Sequence, residues 1–199
     1  MAGRFRGRRL RGPSHPGLRP TAERVREAVF DILGPRVQGA AVLDLFAGAG
    51  GLGLEALSRG ARRVVFVERD RRALELLRRN LRVLGLAEGE EVRVVAGDVR
   101  AVLPRLAATG GRFDLVLADP PYAAGLAVET LALLVRGGLL AGGGLCVLEH
   151  RSTETVPAPP GLVPLDRRVY GDTAVSFFQA EVDEESDEDE PRSDLSGEL

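Results

Sequence analysis

Asp119-Pro120-Pro121-Tyr122, at the end of the apolar run "FDLVLA", joins an acid, two residues without a backbone donor, and an aromatic ring. One reaction uses all three. An exocyclic amine on a nucleobase is a poor nucleophile because its lone pair is delocalised into the ring; acceptors around the NH₂ group draw that lone pair towards an incoming methyl group. The Asp119 carboxylate and the Pro120 carbonyl are candidate acceptors, held stiffly because Pro120 and Pro121 bring no competing N–H. Tyr122 offers a face on which a flipped-out or unpaired base can stack. A simple strand terminator would account for the prolines but not for the acid and the ring.

Four further acids close predicted strands: Asp44, Glu68, Asp98 and Glu149. In an open parallel sheet, ligands bind beyond the carboxyl ends of the strands, where the chain order reverses, so these residues mark the same edge of the molecule. Between Asp44 and Glu68 lies the turn Gly48-Ala49-Gly50-Gly51-Leu52-Gly53, a G-x-G-x-x-G pattern in which Gly48 and Gly50 let the backbone approach a ligand. The pattern suits a nicotinamide dinucleotide and S-adenosylmethionine alike, and Glu68 is placed to accept both ribose hydroxyls of either. Asp44 separates the two, because a pyrophosphate gains nothing from a nearby negative charge whereas a cationic methionine moiety does. Phe46 is expected to line the adenosyl site. Asp98, followed by Val99, is expected at the adenine amino group, a role compatible with capping the helix that starts there.

The elements that must position these residues follow from periodicity. "PTAERVREAVFDILG" reads as a helix with Thr21 as N-cap, its apolar stripe facing the body and Arg24 outward. From residue 40, Val/Leu-rich strands alternate with amphipathic helices as far as a final strand at "GLCVLEH", which means a mostly parallel sheet covered on both faces. "LVPLDRRVYG" and "TAVSFFQAEV" read as an antiparallel edge hairpin turned at Gly171-Asp172. The fold class is α/β, doubly wound and Rossmann-like.

The formal charge of −2 over 199 residues conceals an asymmetry. Residues 181–199 carry ten acids and one arginine, leaving 26 basic residues against 19 acids, a net of +7, in the rest of the chain. Every basic residue is arginine. Residues 1–20 form a basic arm, either a solvated terminus or a phosphate-gripping surface; 21–182 form one domain; 183–199 form an acidic tail too poor in apolar residues to fold. A single cysteine, Cys146, precludes a disulfide framework and is expected to be buried and inert. The most apolar run is interrupted by Arg136 and glycines, so no membrane span is expected. The basic terminus lacks a secretory core. A cytoplasmic monomer is the expectation.

"VLDLFAGAGGLGLEALSRGA", "VVFVERD", "FDLVLADPPY", the leading "GRRLRGP…RPTAERVREAVFDIL" and the late "YGDTAVSFF" together resemble the RsmD-type bacterial 16S ribosomal RNA guanine-N2 methyltransferases over roughly residues 4–178. The resemblance implies S-adenosylmethionine as methyl donor around Asp44, Gly48, Gly50, Glu68 and Asp98. It also implies ribosomal RNA or the small subunit as partner, a guanine received by Asp119 to Tyr122, and Arg19, Thr21 and Arg24 near the substrate. The acidic tail has no counterpart in the family pattern. A DNA adenine-N6 methyltransferase would use the same strand-end chemistry but needs a module to read a DNA groove. A non-catalytic RNA-binding or assembly factor would need only the arm.

Overall fold

In the computed structural model the described residues are 1–8, 10–12, 19–122 and 125–182, and the side chains of residues 19–22 lie outside that description. So do Arg9, residues 13–18 of the basic arm, and the acidic tail. The central strands are near-continuous runs of large apolar residues. β1 (Ala41–Leu45) is buried at every position, and β2 (Arg63–Glu68) and β4 (Phe113–Ala118) at all but one. With β3 (Val92–Ala96), β5 (Leu140–Arg151), β6 (Leu162–Tyr170) and β7 (Thr173–Ala180) they form one sheet ordered β3-β2-β1-β4-β5-β7-β6. The first five strands are parallel, and β7 runs antiparallel to both β5 and β6. This is the expected doubly wound sheet with an antiparallel edge hairpin.

Side chains alternate along each strand, so each strand supplies both faces. Val42, Phe66, Leu115 and Leu117 meet Phe30 of α1 (Arg19–Leu33), Leu54 and Leu57 of α2 (Gly51–Ser58), and Leu77 of α3 (Arg71–Val83). Leu43, Val67, Val116 and Cys146 meet Leu103 and Leu106 of α4 (Val99–Ala108) and Leu131 and Leu134 of α5 (Leu126–Arg136). Cys146 is fully buried, and burial pushes its thiol up to about 12, so it is an inert core residue. Among the described residues no helix is long and apolar enough to cross a membrane.

Two local expectations are corrected. Thr21 does not cap α1, because the helix already begins at Arg19; Pro20 fits the first turn, where its missing N–H has no intrahelical partner to lose. β5 extends beyond Gly144–His150 at both ends: Leu140 pairs with Phe113 across a register shift, and Arg151 pairs with Thr173 of β7. The outer strand β6 carries Pro164, Asp166, Arg167 and Arg168, residues that discourage further strand pairing at an open edge.

The described part of the arm is docked rather than free. Ala2 N donates to Glu55 Oε1 at 3.0 Å and Phe5 N to Ser58 Oγ at 2.9 Å, and the Phe5 ring is buried. Further along, Arg11 N donates to Asn80 Oδ1 at 2.9 Å, while Asn80 Nδ2 donates to the carbonyls of Arg11 and Ala49 at 3.0 and 2.9 Å. Arg6, Arg8 and Arg11 remain exposed, so the backbone is fastened and the charge faces outward. Asn80 is itself fully buried, and truncating it strands its partners without water to replace it. Asn80→Ala is expected to lower stability by about 1–3 kcal/mol in urea unfolding and to speed tryptic cleavage at Arg11. Unchanged cleavage would show that the arm is held by other contacts.

Candidate active site

β1 and β4 lie side by side with Leu45 opposite Ala118. From β1 the chain moves outward to β2 and β3; after α4 it returns to place β4 on the other flank of β1, so this pair is the switch point of the sheet. Phe46 leaves β1 with φ 58, a left-handed conformation that is costly for a bulky residue and concentrates at functional sites. The turn that follows meets α2 at close quarters. A Cβ on Gly53 would lie 2.3 Å from Phe66 Cε1 and 2.8 Å from Asp44 Oδ2, which explains why the third glycine of the pattern has no side chain.

Three of the strand-end acids brace this framework. Glu68 Oε2 accepts from Gly48 N at 2.7 Å, and Oε1 accepts from Arg69 N and Asp70 N, both at 2.8 Å. A carboxylate has about four acceptor sites, so Glu68 keeps room for about one further donor, fewer than the two ribose hydroxyls expected of it. Asp44 is enclosed behind the turn, with Oδ2 accepting from Gly53 N at 2.9 Å. Burial above all, with the charges of Asp119 and Glu68, raises its pKa to about 8 against the opposing Gly53 hydrogen bond. Asp98 caps α4 by accepting from Arg100 N at 3.0 Å and also pairs with Arg69 Nη1 at 3.0 Å; the cap bond, then the arginines, hold it below the usual carboxylate range.

A cavity of about 510 Å³ runs across the strand ends. Over β2 and β3 its walls are Val67, Glu68, Arg69, Gly97 and Val99; Phe46 stands at the middle; Asp119, Pro120, Pro121, Tyr122, Glu149 and Thr173 wall the half over β4, β5 and β7. Val25 of α1 adds an apolar side. The cavity therefore gathers Phe46, Glu68, Val99 and the whole of Asp119 to Tyr122, whereas Asp44, Gly48, Gly50 and Asp98 support it from outside its lining. Arg24 is exposed on α1, one residue from Val25. The side chains of Arg19 and Thr21 lie outside the described residues.

Asp119 is exposed to the open cavity, and desolvation by the protein around it raises its pKa. Glu149 is half-buried; burial and then the Asp119 charge raise it as well. Two neighbouring carboxyls of this kind titrate as a pair. The Tyr122 hydroxyl shares a 2.9 Å hydrogen bond with Thr173 Oγ1, and the Arg151 guanidinium lies 5.0 Å from the ring centroid. Thr173 and Arg151 had no local sequence signal, because only the β5·β7 pairing brings them here. Val25 belongs to an apolar stripe indistinguishable from core.

A family model described as "Conserved hypothetical protein 95" matches residues 1–179. The chain is 40% identical over 190 residues to ribosomal RNA small subunit methyltransferase D of Escherichia coli K12, spanning 95% of this chain and 93% of that protein. It is 34% identical over 180 residues to the putative rRNA methyltransferase YlbH of Bacillus subtilis, spanning 90% and 97%. Among solved structures, the putative methyltransferase yhhF from Escherichia coli superposes with a TM-score of 0.80 at 37% identity, covering 92% of this chain and 97% of that one.

Asp44 gives the site a measurable pH signature. A carboxyl whose native pKa exceeds its unfolded value of about 3.9 contributes a destabilisation that is absent below that value and grows as pH rises towards the native pKa. Asp44→Asn keeps an acceptor for Gly53 N and removes the titration. The variant's stability relative to wild type is expected to rise by on the order of a few kcal/mol between about pH 5 and pH 8 in urea unfolding. A pH-independent difference would mean that Asp44 ionises normally.

Proposed function

We infer the reaction of a chain that belongs to the RsmD family of bacterial small-subunit ribosomal RNA methyltransferases: transfer of the methyl group of S-adenosylmethionine to the N2 amine of a guanine in that RNA. The observation that carries this reading is the position of Asp119 to Tyr122. They stand at the switch point of the sheet and form one half of a cavity whose other half lies over the ends of β2 and β3.

The residues fit the donor. At about 510 Å³ the cavity has the volume of a small-molecule site, within a usual range of about 300–1,000 Å³. Phe46, Val67 and Val99 provide apolar surface for an adenosyl group, and Glu68 retains acceptor capacity beside them. Asp44 is held above its ordinary pKa partly by neighbouring acids, a strain that a bound cation relieves. When bound, S-adenosylmethionine supplies an electrophilic methyl group on a cationic sulfur.

The other half of the site prepares the amine. The Asp119 carboxylate and the Pro120 carbonyl accept hydrogen bonds from NH₂ and localise its lone pair. As the N–C bond forms, Asp119 is the acceptor for the proton that leaves nitrogen. Tyr122, held through Thr173, presents its ring to the base. Arg6, Arg8, Arg11 and Arg24 are exposed and meet phosphates, joined in this reading by Arg19 and Thr21. The protein acts as a monomer in the cytoplasm, on ribosomal RNA or the small subunit.

Removing the Asp119 carboxyl leaves the cofactor half intact. Asp119→Ala is expected to lower methyl transfer from labelled S-adenosylmethionine to unmodified small subunits by about two to three orders of magnitude, with calorimetric cofactor binding retained. If wild type forms no N2-methylguanine on either subunits or free small-subunit RNA, the reading is wrong.

A further inference from the structure

Of the five strand-end acids, Asp44, Glu68 and Asp98 are occupied by backbone donors. Among the described residues, no donor hydrogen-bonds the carboxyls of Asp119 and Glu149, and these two are neighbours. Ala118 pairs with Leu148 in the parallel β4·β5 ladder, so the next residues on the two strands stand side by side. They also point the same way. Leu115 and Leu117 on β4, and Leu145 and Val147 on β5, face the α1 side of the sheet, and the two-residue period places Asp119 and Glu149 on that side as well. His150 is engaged elsewhere, with Nε2 at 2.8 Å from Ser176 Oγ. Glu149 therefore enters the base-facing half of the cavity with its acceptors unpaired.

A second carboxylate beside the amine acceptors selects among bases. The guanine N2 amine is flanked on one side by N1–H, a donor. The amines of adenine and cytosine are flanked instead by ring nitrogens that carry lone pairs. An acceptor placed next to the amine site matches the first edge and repels the other two.

We propose that Glu149 reads the target base as guanine, accepting a hydrogen bond from N1–H while Asp119 and Pro120 hold the N2 amine. This rests on the guanine-N2 reading and deepens it by assigning base specificity to a residue outside the Asp119-to-Tyr122 motif. In the empty cavity, burial and Asp119 favour a proton on Glu149; a guanine donor favours the ionised form, and the proton leaves to solvent. A base with a lone pair at that position is met instead by the neutral carboxyl, so the guanine preference is expected to grow as pH rises and Glu149 ionises.

The test changes the base edge and the side chain that reads it. Small subunits are reconstituted with RNA carrying guanine or 2-aminopurine at the modified nucleotide; 2-aminopurine keeps the N2 amine, replaces N1–H by a lone pair and lacks O6, so the readout is the change in base preference between wild type and variant. Wild type is expected to favour guanine by about tenfold or more in kcat/KM. In Glu149→Gln, whose amide can donate to that lone pair, the preference should shrink to within about threefold of unity or invert. Glu149→Ala should also narrow it, and serves if the glutamine variant does not fold. S-adenosylmethionine affinity within about twofold of wild type checks that the cofactor half is unaltered. Guanine preference unchanged in a folded variant would overturn the inference while leaving guanine-N2 methylation standing. A wild-type enzyme that leaves guanine unmethylated would instead remove the reading on which it rests.

Discussion

The Glu68 carboxylate, nine-tenths buried, accepts three backbone hydrogen bonds, from Gly48 in the turn after β1 and from Arg69 and Asp70 in the turn after β2. Charge-assisted bonds to N–H groups are among the stronger interactions available to a fold, and here they lock two loops to each other. The rest of the cavity is built on that lock. Ala49 is gripped by Asn80 of α3, and Gly53 by Asp44 of β1, so the glycine turn is held from three strand and helix elements. The turn has little conformational bias of its own; its shape is imposed by its neighbours.

The acids at the strand ends divide their work by environment. Glu68 braces two turns and still lines the cavity, whereas Asp119 and Glu149, with no donor among the described residues, face it unbraced. Asp44 combines burial with a single donor and lies between the two groups. Concentrating so much negative charge in one region costs stability. The compensating positive charge sits on the outside, in exposed arginines of the arm and α1, where it faces solvent rather than cancelling the acids.

Most of the architecture was legible because buried parallel strands and amphipathic helices write different periods into the chain. "RVVFVE" coincides with β2 from first residue to last. Where two forces compete, pattern alone was insufficient. Thr21 looks like a cap, but Pro20 permits an earlier start; β5 outgrows its apolar run because pairing partners on both sides extend it. At the site, the strand-end acids were visible, yet their roles depended on which backbone N–H groups point at them. That depends on loop geometry, which no local spacing encodes. Thr173 became visible only through strand order, since β7 inserts between β5 and the edge strand β6.

The docking of the arm has a consequence for how the chain is made. Ala2 and Phe5 bond to residues 53 positions later, and Arg11 to one 69 positions later. During synthesis the amino-terminal arginines emerge well before α2 and α3 exist to receive them. For that interval a strongly cationic leader trails free from a particle made largely of RNA. Only when the first half of the sheet has formed can the arm fold back, turning an indiscriminate polycation into an oriented surface.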